Sequence, residues 1–169
     1  MIYQHGAHSA AGRVTKVGPG VLADPGVLDI ARGLERNGKD EQIFSELCEL
    51  FLHDADTLAP VLLRTMETGD KESVARVAHR LKMSATSICG NRTNYAADAL
   101  EQQAEVGEQA AIAAAAGVLQ QEVDSLRTAI QRFFAARTAL QGKVQRGGSA
   151  MAELQAASES SLATVSSSA

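Results

Sequence analysis

The sequence contains no tryptophan, and aromatic residues fill only 4 % of its 169 positions although 45 % are hydrophobic. A core short of large rings must be built from aliphatic side chains, and Ala and Leu dominate here while β-branched runs are scarce. That mixture favours helices, because Ala and unbranched side chains lose little freedom in them. Cysteine is nearly absent: Cys48 and Cys89 stand in separate apolar stretches, too few for a disulfide framework or a zinc site. They read as buried thiols of a reducing, cytoplasmic setting. No apolar run approaches the roughly 20 residues needed to cross a bilayer, and Met1 to Gly20 lacks the apolar centre of a signal peptide. A membrane role is therefore not expected. Blocks of like charge are missing too, and a net charge of −4 argues against a nucleic-acid binder, which usually shows a basic stripe. Three catalytic signatures have no counterpart: the G-x-S-x-G nucleophile elbow, the G-x-x-x-x-G-K-[ST] phosphate loop and His-Glu-x-x-His. A self-contained enzyme, a bound cofactor and a metal site are accordingly not expected. His5 and His8 are too few ligands for a metal, and His53 with Asp54 and Asp56 reads as a solvated charged face.

What remains is helical periodicity. Residues 1–23 are small and polar without a period, which predicts a flexible N-terminal arm. Asp24-Pro25-Gly26 reads as a helix start, with Val27, Leu28, Ala31 and Leu34 as a short apolar stripe that Asn37-Gly38 ends. Asp40 then caps a helix carrying Phe44, Leu47, Cys48, Phe51, Ala55, Leu58 and Leu62 at spacings of three and four, interrupted late by Pro60. Gly69-Asp70 separates it from a third helix over about 71–88. Gly90-Asn91 precedes a fourth with Ala96, Ala97, Leu100 and Ala104, stopped at Gly107. A long fifth carries Ile112, Ala116, Leu119, Val123, Leu126, Ile130, Phe133 and Leu140. No strand pattern appears. Short connections make neighbours antiparallel, so the sequence predicts an all-α, up-down four-helix bundle over 24–141, with a short additional helix in front. Residues 142–169 read as a Ser/Ala-rich disordered tail.

The third helix carries the candidate chemistry. Val74, Val77, Ala78, Leu81, Ala85 and Ile88 close into one stripe, and His79 lies roughly 150° away from its centre on the helical wheel. An exposed histidine is by default an ordinary surface residue. Here, however, Arg76 at i−3 and Lys82 at i+3 flank it, and Glu72 and Thr86 extend the same face. Two cations beside an imidazole favour its neutral, nucleophilic form, and they also attract a phosphoryl group and neutralise its charge. An exposed nucleophile with no phosphate-donor site of its own implies a partner that brings the phosphate.

Ala78-His79-Arg80-Leu81-Lys82-Met83-Ser84-Ala85 resembles the A-H-x-L-K-G-S-A signature of histidine phosphotransfer (HPt) domains. Asn37-Gly38-Lys39-Asp40 leading to Phe44, Glu46-Leu47, Phe51 and Leu52, then Gly69-Asp70 and Leu100-Glu101, are similar to the rest of that pattern, so the resemblance spans roughly 24–140. It implies a phosphorelay intermediate, not an enzyme. His79 would accept a phosphoryl group from a receiver-domain aspartate and pass it to another receiver, with a hybrid histidine kinase upstream. Lys82 and Arg76 would stabilise the phosphate. Glu101, or the adjacent Gln102, would orient the imidazole, and Arg80, Met83, Ser84 and Thr86 would face the receiver. Magnesium would belong to the receiver. A cytoplasmic monomer is expected, and Met1 with the unstructured ends favours a free-standing protein. Two positions depart from the family pattern. Met83 replaces the glycine that lets a receiver approach, which raises the alternative of a bundle that binds and regulates a receiver or kinase without transfer. Cys89 replaces a second glycine, and the turn is expected to shift by one residue to Gly90.

Overall fold

A computed structural model of the protein describes residues 24–165. It contains five helices: α1 (Ile30–Arg36), α2 (Glu41–Thr68), α3 (Lys71–Ser87), α4 (Asn91–Val106) and α5 (Gln109–Val165). No strand occurs among the described residues. Helices α2 to α5 form an up-down four-helix bundle in which α2 packs on α3, α3 on α4, α4 on α5, and α5 closes back on α2. The arm expected over 1–23, and the last four residues of the tail, lie outside the described residues.

Local chemistry sets most helix starts. The Asp40 carboxylate accepts from the amides of Gln42 and Ile43, and that of Asp70 accepts from Ser73, so each satisfies donors that the first turn leaves unpaired. Hydrogen bonds from Ser73 hold the Asp70 carboxyl below its ordinary pKa. Gly69 ends α2 at φ 70°, in the left-handed region where a side chain is costly.

The first helix differs from expectation. Asp24 does not cap it but closes a tight turn, accepting from Gly26 at 2.9 Å through its side chain and from Val27 through its carbonyl. The cap is Asp29, whose carboxylate accepts from the Arg32 amide. A second aspartate five residues on competes for the same role, and the buried Val27 and Leu28 fix the turn before it. The C-terminal end also differs: α5 continues through the expected tail to Val165. The glycines at 147 and 148 oppose helix, but Ala, Met, Glu, Leu and Gln after them favour it, and extending a formed helix is far easier than starting one.

The core is aliphatic with a small aromatic cluster. Phe44, Phe51, Leu100, Leu126 and Ile130 are fully buried. Phe44 meets Phe133 edge to face, ring centres 5.4 Å apart. Leu140, expected on the buried stripe of α5, is exposed. Asp54 departs from the expected solvated face: it is buried and accepts from the Arg80 guanidinium at 2.8 Å, while His53 and Asp56 stay exposed, Asp56 paired with Arg127. Burial leaves the Cys48 thiol raised to a pKa of about 12, consistent with an inert core residue.

Helix α1 reaches this core through Gly33, its one buried residue, where a Cβ would stand 2.4 Å from Phe44 Cε2. Helix propensity alone makes Gly33→Ala stabilising by about 1 kcal/mol. The packing reverses the sign, because Phe44 has no room to retreat, and the variant is expected to lose about 1–3 kcal/mol in urea unfolding. An unchanged or raised midpoint would contradict this docking of α1.

Candidate functional site

Helices α3 and α4 fold back on one another about a three-residue turn, Ile88-Cys89-Gly90. The turn does not shift to glycine as expected. Cys89 itself takes the left-handed conformation, φ 58°, and Gly90 keeps φ −80° as the N-cap of α4. Packing gives Gly90 a different role: a Cβ there would lie 2.6 Å from Leu126 Cδ2 and 3.3 Å from the Ala85 carbonyl oxygen, so the glycine is required for space and not for its backbone angle.

This fold-back aligns three side-chain pairs at equal distances on either side of Gly90. Asn94 donates to the Thr86 hydroxyl, Lys82 donates to Asp98 at 3.1 Å, and His79 Nδ1 meets Glu101 Oε1 at 2.9 Å. Lys82 also donates to the other Glu101 oxygen, so one carboxylate bridges the imidazole and the ammonium. Gln102 does not approach the histidine; its amide donates to Asp98 Oδ2 at 2.8 Å. Of the two orienting candidates, only Glu101 reaches the ring.

The imidazole is more than half exposed, at 57 %, while the Lys82 and Glu101 side chains are each 22 % exposed. The bond from Lys82, ahead of that from His79, holds the Glu101 carboxyl below its ordinary pKa, against the opposing effect of burial. Hydrogen bonds to Glu101 and then Asp98 hold Lys82 above its ordinary value. An ionised carboxylate can only accept, so Nδ1 must carry the proton. In the neutral ring this leaves the lone pair on Nε2, which has no partner among the described residues.

The electrostatics expected from the linear sequence are therefore rearranged. Arg76 turns back one turn to Glu72 and to the Ser73 hydroxyl at 2.7 Å, and does not touch the ring. Lys82 crosses to α4. The direct neighbour of His79 is an acid, shared with a cation.

The Hpt domain family model matches residues 46–129, most of α2, all of α3 and α4, and the first third of α5. This chain is an Hpt-domain protein. The crystal structure of a histidine-containing phosphotransfer protein from maize superposes with a TM-score of 0.59 at 21 % identity, covering 70 % of this chain and 87 % of the maize chain, which is a likeness of fold. No curated protein matches the sequence. Among the described residues, no helix is long and apolar enough to cross a membrane and no cluster of side chains suits a metal ion.

Around His79 the four expected receiver-facing residues separate into two pairs. Met83 is 57 % exposed beside His79, and Arg80 is exposed with its guanidinium anchored by the buried Asp54. Thr86 instead faces the α3–α4 seam, donating to the Lys82 carbonyl, and Ser84 is half-buried. Asp98 and Asn94 escaped the sequence reading, and Asp54 was placed there on a solvated face. Reflection about Gly90 pairs Asp98 with Lys82 and Asn94 with Thr86, so a known turn position would have found the first two.

The pair Lys82–Glu101 makes stability depend on pH in a defined sense. A carboxyl depressed on folding stabilises the protein above its unfolded pKa and loses that contribution as pH falls through the folded value. Urea unfolding between about pH 5 and pH 3 should therefore show a steeper loss for the wild type than for Glu101→Gln. Parallel curves would remove the coupling.

Proposed function

We propose that the chain is a phosphorelay intermediate in which Nε2 of His79 accepts a phosphoryl group from the aspartyl phosphate of one receiver domain and passes it to another. The observation that carries this reading is the Nδ1–Glu101 hydrogen bond, which supports an unprotonated Nε2 on an exposed ring. In the step, the Nε2 lone pair forms a bond to phosphorus as the bond to the aspartyl oxygen breaks, and the aspartate leaves as a carboxylate. No proton moves at Nε2. Positive charge develops in the ring, and Glu101 on Nδ1 stabilises it, much as a buried carboxylate supports a catalytic imidazolium. Onward transfer reverses these events on a second receiver. Lys82 has three N–H donors, two already placed on Glu101 and Asp98, and the third serves the phosphoryl oxygens. Arg76 contributes only longer-range charge. Met83 and Arg80 meet the receiver, which supplies magnesium and most of the catalysis, and a hybrid histidine kinase feeds the first receiver. The chain acts as a monomer in the cytoplasm.

One observation favours a second reading. Met83 stands exposed where the family pattern has glycine, and its side chain occupies the shoulder of His79. A bundle that holds a receiver without exchanging phosphate would use the same surface.

A receiver carrying radiolabelled phosphate is expected to label the wild-type chain in an acid-labile form and to leave His79→Gln unlabelled. Equal labelling of the variant contradicts the assignment. A wild type that binds receivers but takes no label, with Met83→Gly gaining it, would establish the second reading instead.

A further inference from the structure

Lys82 carries one positive charge and is held by two carboxylates. Glu101 already neutralises it and is itself committed to His79. Asp98 adds a second negative charge that the fold does not need: its side chain is 45 % exposed, and a pair so open to water contributes little to stability. Yet Asp98 is not loose. Its second oxygen accepts from the Gln102 amide one turn on, so the carboxylate is fixed toward Lys82 from α4.

We propose that Asp98 is a positioning residue that competes with the phosphoryl group on His79 for the Lys82 ammonium and thereby lowers the equilibrium occupancy of phosphohistidine. This rests on the reading of His79 as phosphoacceptor. Before phosphate arrives, hydrogen bonds link Gln102, Asp98, Lys82, Glu101 and His79 in one chain that holds two carboxylates for one ammonium. A phosphoryl group on Nε2 brings further negative charge and needs the same ammonium. Asp98 opposes it twice, by retaining Lys82 and by direct repulsion. The free form keeps the Lys82–Asp98 bond and has no phosphate to repel, so Asp98 favours it over the phosphorylated form and raises the tendency of phosphohistidine to donate. An intermediate that must hand its phosphate on is served by that bias.

The test uses the full chain with phosphoramidate as phosphodonor at a fixed ratio of phosphoramidate to ammonia. The P–N bond of the donor breaks, the bond from Nε2 to phosphorus forms, and ammonia leaves. Phosphorus NMR gives the equilibrium fraction of phospho-His79. Asp98→Asn should raise the equilibrium constant about threefold to tenfold, the scale of a partly screened charge, and Asp98→Ala should do the same. Asp98→Glu should return it toward the wild-type value. In a Lys82→Met background the gain from Asp98→Asn should fall to less than half, because only direct repulsion is left. A wild type that labels while Asp98→Asn leaves the constant unchanged or lower overturns the role of Asp98 and spares that of His79. An equal gain in both backgrounds overturns the route through Lys82. A wild type that never forms phosphohistidine, with a folded chain, removes both this proposal and the reading beneath it.

Discussion

The close contact between Gly90 and Leu126 is the constraint on which the site depends. It leaves no room for a side chain at the start of α4, so only glycine fits there beside the left-handed Cys89, at the point where α3 turns back. Once the turn is fixed, the antiparallel register follows. His79 then meets Glu101, Lys82 meets Asp98 and Thr86 meets Asn94, each pair symmetric about the turn. A displacement of one residue would rotate each partner by about 100° around its helix and separate all three. Both ends of α1 pack on the same turn, where the Cys89 carbonyl accepts from the Asp29 amide and the Ser87 carbonyl from the Asn37 side chain.

From this register comes a site whose chemistry is a division of labour between two helices. Helix α3 presents the imidazole to solvent, while α4 supplies the acid that holds its Nδ1 proton. The shared carboxylate does two things that separate residues would do less well. It orients the ring, and it anchors the ammonium that a phosphoryl group would require in the proposed transfer. Two carboxylates share one ammonium, so the site carries surplus negative charge, which would suit the proposed role of giving up phosphate as well as taking it. The bundle contributes rigidity, because the apolar stripe of α3 is locked into the core on the side opposite His79.

Much of this was legible in the residues. Helix number, order and most starts followed from periodicity and from Asp40 and Asp70, since a cap is a contact within three residues. His79 was legible as exposed because its wheel position depends on α3 alone. Properties that depend on two elements were harder. Lys82 and Arg76 look equivalent at i+3 and i−3, but only Lys82 lies on the seam with α4, so one crosses and the other turns back to Glu72. Asp54 looked like a member of a polar cluster and is buried because Arg80 of α3 reaches it. The Cys89 angle is not signalled by the cysteine itself, only by the glycine that the family pattern has there; the need for glycine at 90 comes from Leu126, over thirty residues away. The first cap was misplaced for the opposite reason, because two aspartates five residues apart offer equally good local chemistry and burial of Val27 and Leu28 decides between them.

The central claim is that Glu101 fixes the proton of the neutral imidazole on Nδ1 and leaves Nε2 as the nucleophile. Nitrogen-15 NMR of the His79 ring, recorded with the imidazole neutral, tests it directly. A neutral histidine free in water prefers its proton on Nε2, so the two tautomers are readily told apart by their nitrogen shifts and ring couplings. The account predicts the Nδ1–H tautomer in the wild type and a return toward Nε2–H in Glu101→Ala. An Nε2–H tautomer in the wild type would contradict it.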